Sequence, residues 1–189
     1  MEPKTLLITG FEPFGAEDRN PSWEAVNALP MRIGGWTLTK LLLPVEFGHA
    51  AELAMQAAAG CHADAILCVG LAAGRTAVTP EAVGLNVRDA SIPDNAGQQP
   101  AGEPIRADGP AAIFSTLPVR SMTEAIRSAG IPAKLSYTAG TYVCNDLLYS
   151  LLHRFSGTMV RIAFVHIPLE KDLPLNDAVR ALTAAIESI

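Results

Sequence analysis

Short runs of Leu, Ile, Val and Ala alternate along this chain with stretches of helical spacing, and that alternation leaves few folds open. Residues 4–9, 36–43, 63–69, 133–137 and 159–166 read as strands, and residues 21–29, 47–59, 119–129, 143–155 and 173–187 as helices. Punctuation supports the helix ends. Asn20 stands as an N-cap ahead of Pro21, Gly60 follows one helix, and Gly130 and Pro132 follow another. The strands are apolar on both faces rather than on alternate residues, as strands covered on both sides must be. The pattern predicts an α/β fold, with a mostly parallel twisted sheet and helices on both faces. A chain of 189 residues with 49% hydrophobic content predicts a single domain over 1–189 with a core of its own. Residues 70–110 break the rhythm: they are rich in Gly, Pro, Asn and Asp, with only short extended runs such as 83–87. An ordered excursion from the sheet is the expectation there.

Charge narrows the partners. The net charge is −5 and no run of Lys or Arg makes a phosphate-tracking stripe, so neither nucleic acid nor an anionic membrane surface is expected to bind. No apolar stretch reaches the ~18 residues of a membrane-spanning helix. The opening apolar run is too short for a secretory leader, so a cytoplasmic protein is expected. Cysteines 61, 68 and 144 are odd in number and lack zinc-ligand spacing, which predicts reduced thiols and no disulfide framework. Cys68 sits inside an apolar strand and reads as a small core residue.

Cys144 differs. It follows Ala139-Gly140-Thr141-Tyr142-Val143, where a strand end, a tight turn and the first turn of a helix are predicted. A thiol there lies near unpaired backbone N–H groups and the positive end of a helix dipole, and both favour the thiolate. His166 closes an apolar strand some twenty residues on. A cysteine at a helix start and a histidine at a strand end are the two parts of a thiol hydrolase. A third group must orient the imidazole. Glu81 leads, Asp89 and Asp94 stand behind it, and spacing alone does not choose among them. In open parallel sheets the loops after the strands converge on one rim. That rim would gather the loops 10–15 and 70–75 with Cys144 and His166. Phe11 and Phe14, three apart on a Gly- and Pro-rich loop, suit the faces of a small flat ring or else anchor the loop in the core.

Several longer motifs are specific. Thr9-Gly10-Phe11-Glu12-Pro13-Phe14-Gly15 with Asn20-Pro21-Ser22, Thr79-Pro80-Glu81, Ile92-Pro93-Asp94-Asn95-Ala96-Gly97, Thr138 through Asn145, and Phe164-Val165-His166-Ile167-Pro168 lie along nearly the whole chain. In this order they resemble the pyrrolidone-carboxylate peptidases, or pyroglutamyl peptidases I. The resemblance implies an α/β/α sandwich and a cysteine omega-peptidase. Such an enzyme removes the N-terminal pyroglutamyl residue from peptides through a thioester acyl-enzyme, with no metal or cofactor. It implies Cys144 as nucleophile, His166 as base and then acid, and Glu81 as orienter. Phe11, Phe14 and Asn20 fall at positions that hold the lactam ring, and a homo-oligomer, commonly a tetramer, is implied.

The chain departs from that pattern at Leu71, Ala82, Ser91, Tyr137 and Asp146. The family's arginine is Ser91 here, so Arg75 or Arg88 would have to replace that guanidinium. Asp146, where the family often has histidine, is expected to affect the thiol little, because positions two apart on a helix do not share a face. Two other readings follow from these changes: a catalytically weak member acting as a binding protein, and an amidohydrolase for a related N-acyl or lactam substrate.

Overall fold

In the central strand β1 (Lys4–Phe11), Leu6 and Ile8 point into one half of the core and Leu7 into the other, and all three are fully buried. The computed structural model describes residues 4–15 and 18–189. After β1 come α1 (Pro21–Ala28), β2 (Arg32–Ile33), β3 (Trp36–Leu43), α2 (His49–Gly60) and β4 (Ala65–Leu71). Three short strands follow, β5 (Thr79–Glu81), β6 (Val83–Leu85) and β7 (Ala112–Phe114). Then come α3 (Val119–Ser128), α4 (Val143–Arg154), β8 (Arg161–Ile167) and α5 (Leu175–Glu187).

Six strands make one sheet in the order β2-β3-β1-β4-β8-β5. Its four central strands are parallel, while β2 and β5 add antiparallel at the two edges. Ala25 and Val26 of α1, Met122 and Ile126 of α3, and Ala181 and Leu182 of α5 cover one face. Ala50 and Ala54 of α2 with Leu147, Leu148 and Leu151 of α4 cover the other. The fold is the expected α/β sandwich with a mostly parallel sheet.

Two expectations need correction. Residues 133–137 do not form a continuous strand, and only the isolated bridges Val78↔Ala133 and Glu81↔Ser136 remain. The neighbouring strand β5 carries Pro80, which has no N–H to donate, so its ladder is interrupted. Residues 70–110 are ordered but are not wholly an excursion: Thr79–Glu81 returns to the main sheet as an edge strand. The chain then leaves as a β6–β7 ribbon, and Arg88 and Glu103 bridge the loop beyond it. No described helix is long and apolar enough to cross a membrane.

Candidate active site

The carboxyl ends of β1, β4 and β8 meet the start of α4, as the rule for open α/β sheets requires. Gly140, with φ of 83°, turns the chain into that helix, a conformation glycine adopts without strain. No side chain among the described residues caps α4. The N–H groups of Asn145 and Asp146 bond the carbonyl of Tyr142, while the N–H of Val143 finds no acceptor among the described residues. Cys144 is the next residue, and its own main-chain N–H favours the charged form of its sulphur.

His166 lies on β8, two residues beyond Phe164, and so projects to the face that α4 covers. Its ring packs on Phe164 with centroids 4.7 Å apart. Nδ1 lies 2.8 Å from Oε1 of Glu81, which sits on the adjoining edge strand β5. That bond leaves Nε2 as the nitrogen available for proton transfer. Glu81 is fully buried, and burying a carboxylate costs several kcal/mol unless it is paired. Its partner is Arg75, whose guanidinium reaches the same Oε1 at 2.6 Å and also bonds Thr79 and the carbonyl of Thr138. Glu81 Oε2 has no protein partner among the described residues.

The other two carboxylates are used elsewhere. Asp94 accepts from the N–H groups of Phe47, Ala96 and Gln98 and shapes its own loop. Asp89 is exposed and meets Thr141 only through its main chain. Asp146 is buried but satisfied, taking the Gly48 N–H at 2.7 Å and Arg88 Nε at 2.6 Å. Arg75 and Arg88 are thus both committed to carboxylates, and Ser91 is exposed. Neither arginine is free to replace the guanidinium that the family pattern has in place of Ser91.

A cavity of about 150 Å³ opens beside the thiol, walled by Phe11, Phe14, Asn20, Val45, Leu71, Ala73, Tyr142, Val143 and Cys144. Phe11 is buried in the core and Phe14 is half-buried, so the first anchors the loop while both face the cavity. Tyr142 packs on Phe14 at 5.5 Å and on Phe47 at 5.2 Å, and its hydroxyl donates to the Pro93 carbonyl. Asn20 is the N-cap of α1: Oδ1 accepts from Ser22, and Nδ2 gives one hydrogen to the Glu12 carbonyl. Its second amide hydrogen is unspent among the described residues. Sequence reading assigned no part to Tyr142 or Val45. Tyr142 lies at the very start of the helix that bears Cys144, and Val45 follows a strand end, so both positions carried a signal.

The thiol's ionisation reverses one expectation. Its own N–H and Arg75 favour the thiolate, but burial and the nearby carboxylate of Glu81 outweigh them and push Cys144 up to about 12. Burial also holds His166 below its ordinary 6.5, against the opposing pull of Glu81. The resting pair is therefore neutral thiol and neutral imidazole at pH 7. Alkylation of Cys144 by iodoacetamide is expected to be slow at pH 7 and to keep accelerating through pH 9. Activity should fall only as acid protonates His166, with the acid limb of kcat/KM below pH 6.5. A labelling plateau below pH 8 would mean that the thiolate is already formed. Cys68, wholly enclosed, is also pushed up to about 12 by burial and remains a core residue.

Close packing holds the thiol in place. A Cβ on Gly70 would lie 2.7 Å from the Phe164 ring and 3.1 Å from Cys144 Sγ. Gly70→Ala is expected to lower kcat by on the order of 10²-fold through a displaced nucleophile. Overpacking should also cost about 1–3 kcal/mol of stability. Kinetics and thermal melting on the same sample check both, and unchanged kcat would mean that the thiol tolerates the shift.

At the rim of a parallel sheet, a helix-borne thiol thus lies against Gly70, the register partner of a histidine that a buried carboxylate holds. A family model described as Pyroglutamyl peptidase matches residues 4–189. The pyrrolidone-carboxylate peptidase of Levilactobacillus brevis is 47% identical over 97% of this chain and 96% of its own. That of Escherichia fergusonii is 51% identical over 87% and 78%. Among solved structures, pyroglutamyl peptidase I of Bacillus amyloliquefaciens superposes with a TM-score of 0.93 at 41% identity, covering 98% of this chain and 96% of that one. The pyrrolidone carboxyl peptidase of Thermococcus litoralis does so with 0.92 at 33%, covering 98% and 92%. The chain belongs to the pyroglutamyl peptidase family.

Proposed function

We propose that this chain hydrolyses the amide bond after an N-terminal pyroglutamyl residue, with Cys144 as nucleophile, His166 as proton carrier and Glu81 as its orienter. One observation carries the substrate assignment. Among the described residues, the cavity beside the thiol has no charged residue in its wall. An ammonium would be stranded there, whereas a lactam has no free amine to bury. Its small volume is well below the ~300–1,000 Å³ of sites for larger ligands, and suits one ring. Phe11, Phe14 and Tyr142 flank that ring, and Asn20 offers its remaining amide hydrogen.

Sγ attacks the carbonyl outside the ring while its proton passes to His166 Nε2. The oxyanion gathers beside the N–H groups at the start of α4. Glu81 steadies the imidazolium through Nδ1–H. His166 then protonates the departing amine, which leaves a thioester on Cys144. Water attacks the thioester as His166 takes its proton, and the thiol is restored. Residues 1–189 act as one domain. The protein works in the cytoplasm, in keeping with its three free cysteines, and as a homo-oligomer, a tetramer by family likeness. Exposed Phe114 and Met159 are apolar groups that such contacts would cover.

The test compares pyroglutamyl-, prolyl- and glutaminyl-aminocoumarin. Prolyl keeps the ring but carries a charged amine. Fluorophore release is expected from the pyroglutamyl compound with a preference on the order of 10²–10⁴-fold. Equal release from prolyl-aminocoumarin, or none from the folded protein with any of the three, would overturn the reading.

A further inference from the structure

A second, open cavity of about 420 Å³ lies across the loop that follows β4. Leu71 at the end of β4 and Ala73 of that loop wall the small ring cavity, while Gly74 and Arg75 wall this larger groove. Its other walls are Thr76, Ala77, Thr79 and the segment from Lys134 to Ser136. Thr79 is the register partner of His166, and Arg75 bonds the carboxylate that holds His166. In the proposed reaction the departing amine takes its proton from His166, so the chain beyond the cleaved bond must emerge on that side.

The groove mixes polar and apolar surface and carries positive charge. Arg75 is committed to Glu81, but Lys134 is exposed and makes no ion pair or hydrogen bond among the described residues. No acidic side chain among the described residues lines the groove. The segment also offers main chain. Lys134 and Ser136 spend their N–H groups on Val78 and Pro80, which turns the N–H and C=O of Leu135 outward, without partners among the described residues. An extended peptide can add to such an edge.

We propose that this groove binds the leaving part of the substrate, and that Lys134 selects peptides with an acidic residue within the first three positions after the cleaved bond. The inference rests on the pyroglutamyl-peptidase reading and extends it from the ring to the sequence that follows. It runs against the protein's overall field: a net charge of −5 favours basic peptides, so a preference for acidic ones must arise locally.

The experiment measures kcat/KM for pyroglutamyl tetrapeptides carrying Glu, Gln or Lys at each of those three positions, in the parent and in Lys134→Glu and Lys134→Gln. Each protein is scored by its own Glu-to-Lys ratio, so a general loss of activity cancels. The parent ratio is expected to favour Glu by on the order of threefold at one position, the scale of an exposed ion pair. It should vanish in Lys134→Gln, invert in Lys134→Glu and shrink in 1 M salt. A parent ratio near one at all three positions, or a ratio unmoved by either substitution or by salt, would overturn the proposal. Pyroglutamyl-aminocoumarin, which has no residue after the bond, separates the two ideas. If the parent cleaves it while the ratio is flat, the groove assignment fails alone; if the parent cleaves nothing, the reaction itself is wrong.

Discussion

Cys144→Ala is expected to lower kcat/KM for pyroglutamyl-aminocoumarin by on the order of 10⁴-fold or more, because no other group at the site can form the thioester. Cys61 is half-buried at the end of α2, and Cys68 is enclosed in β4, so neither can substitute. The side chain lost is small and borders a cavity, so melting temperature and circular dichroism should remain near those of the parent. An alanine variant that keeps a hundredth of parental activity would rule Cys144 out as the nucleophile.

Glu81→Gln is expected to cost roughly 10³–10⁴-fold in kcat, the scale seen when a buried carboxylate that fixes a catalytic imidazole becomes an amide. The amide can present its NH₂ group to Nδ1, which then accepts instead of donating. The proton is thereby forced onto Nε2, and the ring can no longer take one from the thiol. Arg75 loses its charged partner but is partly exposed and can turn to water, so the loss in kcat should far exceed any loss in stability. KM should change little, since Glu81 does not line the ring cavity. A loss of less than tenfold would show that Phe164 packing alone orients the ring.

Much of this architecture could be read from residue order. The four parallel strands and the five helices of the sandwich follow from apolar runs and caps, each encoded locally. Asn20 is both a cap that spacing reveals and a cavity wall that it does not. The edge strands β2 and β5 are two and three residues long, too short to carry a period, and exist because a neighbour pairs with them. The reading of residues 133–137 went wrong for the same reason. Their own β-character is sound, and it is Pro80 on the adjoining segment that breaks the ladder. Selection among Glu81, Asp89 and Asp94 was likewise beyond local pattern. What sets Glu81 beside His166 is the antiparallel register of β5 on β8, a long-range pairing. The thiol's ionisation depended on burial, which a motif does not report; the helix start alone argued for the opposite direction.

The position of β8 between β4 and β5 has a consequence for biosynthesis. The strand that completes the sheet is made after all the other described strands, yet it must insert between two segments made long before it. Contacts so distant in sequence form slowly, because the chain between them has to be closed into a loop first. Until the ribosome has released this strand, a nascent chain has its thiol but neither the imidazole nor the frame that brings the carboxylate to it. Hydrolytic competence should therefore arise only once β8 has been made and inserted, in one step. Unfinished chains, which still display apolar strand edges, would be inert toward peptides around them.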